Sequence, residues 1–313
     1  MKGLALRRVV VFSALVAAAL LWEFLPAPTA RQKVLASGGA FEVASWNMLW
    51  FPSGYPEPQP PADEARRLAT AARFIRSQGI PDVFFAQEIR DSATCLDLAG
   101  RLGDESPLPV VCSAFEDYGT QEASLQQLAI FSRFPAVDSG YESWRASDFV
   151  FPPRGFAYAV LDVGGVLVGC FTVHLKSNYV PEGEDPVRQK TLNRLKRELA
   201  SEQLLRRIAR LEADGHDGRP VTRFIVAGDF NNSIHDERFA GETTIRAFLD
   251  AGFRNAFEGF TGDAYATLPA SAGYPPATFD YILVKGFDRV GEPETLPDSG
   301  TSDHRMIRVT LKP

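Results

Sequence analysis

The sequence predicts an α/β fold, a sheet protein with helical crossovers, and three observations carry that expectation. Residues 41–46 alternate as a strand, an amphipathic pattern runs from Pro61 to Gly79, and Asp82–Ala86 reads as a buried strand, so a βαβ unit opens the domain. Strand-like runs and apolar stripes at 3–4 spacing keep exchanging further along the chain. The apolar runs repeatedly end in an acid, an amide or an imidazole, and sheets with helical crossovers bind ligands at strand ends.

Length and composition bound the answer. The 313 residues suffice for one large domain or two modest ones. Hydrophobic content of 45% and charged content of 23% are those of a globular chain. No low-complexity tract and no internal repeat breaks the pattern. The formal net charge is −6; setting aside residues 1–30 takes Lys and Arg from 33 to 30 and Asp and Glu from 39 to 38, leaving −8. An acidic chain binds polyanions poorly unless a metal or a local basic patch compensates. This weighs against a DNA-coating role and not against a metal-dependent enzyme.

At the N-terminus, Lys2, Arg7 and Arg8 precede the apolar run Val9–Leu21, and Pro26-Ala27-Pro28-Thr29-Ala30 supplies small residues. Residues 1–30 are therefore expected to be a signal peptide, or a membrane anchor if Pro28 blocks cutting after Ala30. The run is shorter than the roughly 20 residues of a spanning helix. Residues 31–40 read as a linker and 41–313 as the domain. The expected location is secreted or periplasmic, or anchored through the N-terminal segment, with no other membrane contact. Of the three cysteines, Cys95 and Cys112 are the better candidates to pair in an exported chain, and Cys170 reads as a buried thiol. No C-x-x-C spacing points to zinc or redox chemistry.

After the first strand, Pro52 to Pro61 is a stiff, exposed loop. Pro61-Ala62-Asp63 would cap the first helix, whose apolar face is Ala65, Leu68, Ala69, Ala72 and Ile75, and Gly79 with Pro81 stops it. The Asp82–Ala86 strand runs into Gln87-Glu88. Helix 93–102 ends at Gly103, strand 110–112 follows, and strand 127–133 ends before Pro135. Residues 156–163 and 166–176 form a hairpin turning at Gly164-Gly165, whose second strand ends in His174-Leu175-Lys176-Ser177-Asn178. Residues 186–213 make the longest helix, with Leu192, Leu195, Leu199, Leu204, Leu205, Ile208 and Leu211 as its stripe. Its many arginines and lysines are either a solvated face or a phosphate-facing patch. A β-branched strand from Val221 to Val226 leads to Gly228-Asp229-Phe230-Asn231, where strand alternation would put Asp229 and Asn231 on one side. Taken alone that string also reads as a turn. A helix at 243–249, a strand at 278–284 and a last strand at 306–311 complete the chain, with loops at 259–277 and 291–301.

Asn47, Gln87, Glu88, His174, Asp229, Asn231, Asp280, Asp303 and His304 all stand where apolar strands end. Each alone is an ordinary turn or structural residue. Their recurrence at six strand ends is the signal. Glu88 and Asp229 are hard oxygen donors suited to Mg²⁺ or Mn²⁺, and the four histidines with no thiolate pattern argue against zinc. Hydrolysing a phosphoester needs an activated water, neutralised equatorial oxygens and a stabilised leaving oxygen. His304 would serve as base or N–H donor, Asp280 would hold its tautomer, Asn231 and His174 would donate to phosphate, and Asn47 would orient Glu88.

The ordered strings Ser45-Trp46-Asn47, Gln87-Glu88, Phe131-Ser132-Arg133, His174-Leu175-Lys176-Ser177, Gly228-Asp229-Phe230-Asn231, Phe279-Asp280-Tyr281 and Ser302-Asp303-His304 resemble the endonuclease/exonuclease/phosphatase superfamily. That group includes deoxyribonuclease I, AP endonucleases, sphingomyelinases and inositol-polyphosphate 5-phosphatases. The resemblance covers about residues 41–313. It implies a four-layer α/β sandwich, deoxyribonuclease I-like, with two mixed β-sheets packed face to face and helices outside. It also implies a phosphoesterase using Mg²⁺ or Mn²⁺. Carried over by motif, Asn47, Glu88 and Asp303 belong to the metal, and His174, Asp229, Asn231, Asp280 and His304 to catalysis, with Asp280 or Asp303 supporting His304. Arg154, Lys176 and Asn178 fall to the substrate, although Arg154 reads equally well as a structural arginine. Leu49 stands where some repair members carry Asp, which argues against the abasic-site branch. No long apolar hairpin of the membrane-docking sphingomyelinase kind is present. The expected activity is an exported nuclease acting on DNA or RNA as a monomer. The rival is a phosphatase, or a phosphodiesterase of a lipid head group or sugar phosphate. A catalytically silent binding module is the reading from a different class.

Overall fold

The structure, a computed structural model, describes residues 39–104, 106–117, 122–270 and 275–313. The expected signal segment or anchor, and the linker up to residue 38, lie outside the described residues. The elements run β1 (Phe41–Phe51), α1 (Pro61–Gln78), β2 (Val83–Ile89), α2 (Ser92–Leu102), β3 (Leu108–Cys112), β4 (Gln127–Ser132), β5 (Ala136–Ser143), β6 (Gly155–Val163), β7 (Val166–His174), α3 (Pro186–Asp214), β8 (Val221–Asp229), α4 (Arg246–Asp250), β9 (Arg254–Asn255), β10 (Asp280–Lys285), β11 (Asp288–Thr295) and β12 (Ile307–Lys312).

They form two six-stranded sheets, ordered β11-β12-β1-β2-β4-β3 and β5-β6-β7-β8-β10-β9. Both are mixed. β1 pairs β2 in parallel across α1, β7 pairs β8 in parallel across α3, and the remaining pairings are antiparallel. Val43, Phe85 and Ile130 of the first sheet pack against Cys170, Ile225 and Ile282 of the second in one buried cluster. The outer face of the first sheet buries Trp46, Phe84 and Phe131 against Leu68 and Ile75 of α1 and Leu98 of α2. The outer face of the second buries Phe171, Phe224 and Val226 against Leu204, Ile208 and Leu211 of α3. The order helix, sheet, sheet, helix is the four-layer sandwich that the resemblance implied.

Period-two alternation connects this packing to the site. In β1, residues 41 and 43 point between the sheets while 44, 46 and 48 point to the helices. In β7, 168 and 170 point inward, and in β8 so do 225 and 227. Extending each series by even steps brings Asn47, Gln87, His174, Asp229 and Asp280 onto the two facing inner surfaces at one end of the sandwich.

Several expectations need correction. α3 is buried through Asn193, Arg197, Ala200, Ser201, Leu204, Ile208 and Leu211, so the expected leucine stripe holds only in its C-terminal half. Its N-terminal half faces the loop after β7, where Asn193 Nδ2 donates to the Tyr179 carbonyl at 3.1 Å. Leu195 and Leu199 instead line an open apolar groove of about 730 Å³ with Phe149, Val150 and Phe253. β5 and β11 are strands that the sequence reading left out, and β11 occupies part of the supposed 291–301 loop. Both are sheet edges with mostly exposed side chains, so their alternation is not apolar. The first helix has no side-chain cap at its start, and α4 is only Arg246–Asp250. Cys95 and Cys112 are free thiols, while Cys170 is the buried thiol expected.

β7 and β8 approach so closely beside the site that Gly228, at φ +146°, leaves no room for a side chain: a Cβ there would overlap the Val173 carbonyl oxygen. Gly228→Ala is expected to destabilise the domain by about 3 kcal/mol, seen as a lower urea midpoint at unchanged slope. Equal stability would show slack between these strands.

Candidate active site

Each inward polar residue is placed by a different local device. Asn47 continues the inward series of β1. Its Nδ2 donates to Glu88 Oε1 and to Asp229 Oδ2, both at 3.0 Å, while its Oδ1 accepts from the Leu49 amide at 3.1 Å. One amide thus bridges carboxylates of the two sheets. Glu88 has the wrong parity for the inner face. It reaches that face because β2 bulges there: the register shifts between Gln87 and Ile89, and Glu88 adopts φ +59°. The Trp50 amide then donates to Glu88 Oε2 at 2.9 Å. Beneath it, Gln87 Nε2 donates to Ser45 Oγ at 3.2 Å and crosses to Thr172 Oγ1 of the other sheet at 3.0 Å.

Asp229 ends β8. Asn231 meets it by a turn and not by continued alternation: at φ +49° its backbone N–H donates to Asp229 Oδ1 at 2.8 Å and its Nδ2 to Oδ2 at 3.1 Å. Nδ2 also donates to the Leu175 carbonyl at 3.1 Å. Asp280, opposite Asp229 in the β8–β10 register, meets His304 Nδ1 through Oδ2 at 2.7 Å. His304 Nε2 lies 3.8 Å from Asp229 Oδ2. His174 Nε2 lies 3.6 Å from Asp229 Oδ2 and 3.7 Å from Glu88 Oε1. The structure therefore gathers Asn47, Glu88, His174, Asp229, Asn231, Asp280 and His304 into one buried cluster. Asp280, and not Asp303, is the partner of His304. Asp303 is exposed and makes no hydrogen bond to the cluster among the described residues.

Burial and charge set the protonation of the cluster. Burial alone would lower His304, but the charge and hydrogen bond of Asp280, with Asp229 and Asp303 adding, push its imidazole up to about 10. Burial pushes Asp229 up to about 7, against the opposing pull of His304 and of the N–H donors Asn231 and Asn47. His174 moves the other way: burial, then the charges of Arg154, His304 and Lys176, hold it well below the ordinary histidine range. It is a neutral imidazole, and its Nδ1 is buried without a partner. Lys176 falls to about 8, through burial first and then Arg154, Lys196 and Arg197.

The three expected substrate residues divide. Among the described residues Lys176 bonds only to Ser177 Oγ, at 3.2 Å, and keeps donors for a ligand. Arg154 is committed to Gln126 Oε1 at 2.9 Å and the His174 carbonyl at 3.0 Å, so it braces the end of β7. Asn178 Oδ1 accepts from Arg197 at 3.0 Å. Arg197 is itself no phosphate-facing residue: it is 1% exposed and forks onto Glu242 with two bonds of 2.7 Å. Three further arginines of the basic helix are paired, Arg194 with Glu198, Arg206 with Glu202 and Arg207 with Glu142. The bracing roles of Gln126, Arg197 and Glu242 have no sequence signature, because each depends on a contact distant in the chain.

Two hard carboxylates from facing sheets converge on the single Asn47 amide, which suits a Mg²⁺-type ion held by one or two carboxylates and water. Among the described residues no three His, Cys, Asp or Glu side chains form a ready-made cage.

A family model, Endonuclease/Exonuclease/phosphatase family, matches residues 44–304, a span that contains every site residue from Asn47 to His304. The chain belongs to this family. Its members are hydrolases acting on phosphoester bonds and generally use divalent metal ions. No curated protein matches the chain in sequence. Among solved structures, an endonuclease/exonuclease/phosphatase family protein from Bacteroides thetaiotaomicron is 18% identical with a TM-score of 0.58, covering 88% of this chain and 98% of that one. TDP2 from C. elegans is 17% identical with a TM-score of 0.56, covering 89% and 76%. A mannosyl-6-phosphatase of Bacteroides thetaiotaomicron VPI-5482 is 17% identical with a TM-score of 0.53, covering 87% and 99%. These likenesses establish the fold.

The Asp280–His304 pair makes a signed prediction for the metal-free protein. Because folding raises the His304 pKa from 6.5 to about 10, its stabilisation is complete below pH 6.5 and lost as pH rises through 10. Thermal midpoints in EDTA should fall between pH 7 and 10. Asp280→Asn should cost about 3 kcal/mol at pH 7 and flatten that slope. An unchanged slope would mean that the pair does not carry it.

Proposed function

We propose that this chain is a divalent-metal-dependent phosphodiesterase that hydrolyses nucleic acid, DNA or RNA. One observation carries the reading: carboxylates, amides and imidazoles from both sheets converge on a single point at the rim of the sandwich. A Mg²⁺ or Mn²⁺ ion, when bound, would supply charge neutralisation at a phosphoryl oxygen. Glu88 would hold it, with Asn47 and the Trp50 amide fixing the carboxylate.

The chain's own groups would do the rest. Asp229, held through both oxygens by N–H donors, would orient the attacking water and accept its proton. Neutral His174 would offer one N–H to a non-bridging oxygen, and Asn231 a second. His304, kept charged by Asp280, would face the anionic transition state from the other side. Lys176 would reach an adjacent phosphate. A polymeric substrate is supported by the loops leaving β1 and β7, which carry the exposed Tyr55 and Tyr179, aromatic surfaces suited to stacking. Exposed Arg188 and Lys190 at the start of α3 add positive charge beside the second loop. The order of charge, apolar run and small residues in 1–30 supports a secreted or periplasmic enzyme, or one tethered by that segment. We propose that it acts as a monomer.

The purified protein should degrade plasmid DNA or RNA with Mg²⁺ at low salt and lose that activity in EDTA. Asp229→Ala should lower turnover by about 10³-fold without unfolding. Full activity in EDTA would end the metal reading. If a panel with sphingomyelin vesicles, sugar phosphates and inositol phosphates gave turnover only on one of those, the nucleic acid assignment would fall and a head-group or sugar phosphoesterase would replace it.

A further inference from the structure

Leu49 and Trp50 are consecutive bulky residues in the left-handed region, at φ +53° and +44°. Each is strained and persists only where its surroundings over-determine it. The gain is visible at Glu88: this kink aims the Trp50 N–H at Glu88 Oε2, and the Leu49 N–H holds the Asn47 amide in the orientation that bridges Glu88 and Asp229. What holds the kink from its other side is Arg67 of α1. Its Nη2 donates to the Met48 carbonyl at 3.2 Å, to the Leu49 carbonyl at 3.0 Å, and to the Thr301 carbonyl. Thr301 opens the segment that delivers His304. That segment is tied back to β1 twice more, by Ser302 Oγ donating to the Asn47 carbonyl at 2.7 Å and by Trp46 Nε1 donating to the His304 carbonyl at 3.0 Å. Gly54, at φ +82°, completes the seat: a Cβ there would overlap the Arg67 guanidinium.

We infer that Arg67 is a positioning residue for the metal and proton-transfer groups, a strap that locks the strained end of β1 to the loop before His304. It touches neither substrate nor metal. It acts through the carbonyls of Met48, Leu49 and Thr301, all reached from Nη2, whose two N–H groups are shared among the three acceptors. The metal part of the inference rests on the reading given under Proposed function; the strap itself is a property of the metal-free chain.

Two readouts separate them. Mn²⁺ binding is followed by the loss of its free EPR signal, and exchange of the Trp50 amide is followed by NMR in the metal-free protein. Arg67→Met should weaken Mn²⁺ binding about tenfold or more, and Trp50 amide exchange should accelerate while near-UV circular dichroism is retained. Gly54→Ala, in the buried turn that follows β1, should displace the guanidinium and shift both readouts the same way. Wild-type Mn²⁺ affinity and wild-type Trp50 protection in folded Arg67→Met would overturn the inference. Should Arg67→Met fail to fold, Gly54→Ala decides by the same criteria. If the wild-type chain binds no Mn²⁺, the metal reading fails, and Trp50 exchange alone decides whether Arg67 is the strap.

Discussion

Everything at the site depends on one carboxamide. Asn47 sits where the two sheets open and holds Glu88 of one and Asp229 of the other at equal distance. Two carboxylates in a buried setting repel unless a donor or a cation lies between them. In the metal-free chain the amide takes that place, and the surrounding N–H groups of Trp50 and Asn231 donate to the same carboxylates. The cluster is thereby kept compact.

The division of labour between the imidazoles follows from their neighbours. Both are buried, so burial by itself pushes both toward neutrality. His304 has a dedicated carboxylate at hydrogen-bond distance and stays charged; His174 has carboxylates only beyond 3.5 Å, with cations close by, and stays neutral. A charged donor and a neutral donor on opposite flanks of Asp229 suit a phosphoryl group that gathers negative charge and moves a proton. The arginines nearby serve the frame. Arg67 ties the first sheet's loops, while Arg154 and Arg197 tie those of the second.

Much of this was legible in the chain. Strand ends could be read from apolar runs, and Asn47, His174, Asp229 and Asp280 were found there; the packing of the two sheets then shows that parity turns them to the inner faces. Glu88 shows where parity fails: a one-residue bulge reverses its direction, and bulges leave no periodic trace. Asn231 reached its place through a turn although strand geometry was the reason expected. The leucines of α3 misled because an apolar stripe states only that a face avoids water, and here Leu195 and Leu199 line a groove while Arg197 is buried. An arginine enters a core when a distant carboxylate meets it, and Glu242 lies 45 positions away. Edge strands β5 and β11 escaped because one exposed side and a free edge remove the alternation by which inner strands are recognised.

The Gln87–Thr172 bond, like that of Asn47 to Asp229, is a polar rivet between sheets whose facing surfaces are mainly apolar. The separation of Glu88 from His174 is accordingly set by how thick the hydrocarbon filling is. Residues such as Phe85, Ile130 and Ile225, which never approach a ligand, act as shims: adding or removing a methylene among them would widen or narrow the gap between the jaws. Evolution of substrate choice in this architecture has a dial hidden in its grease as well as in its loops.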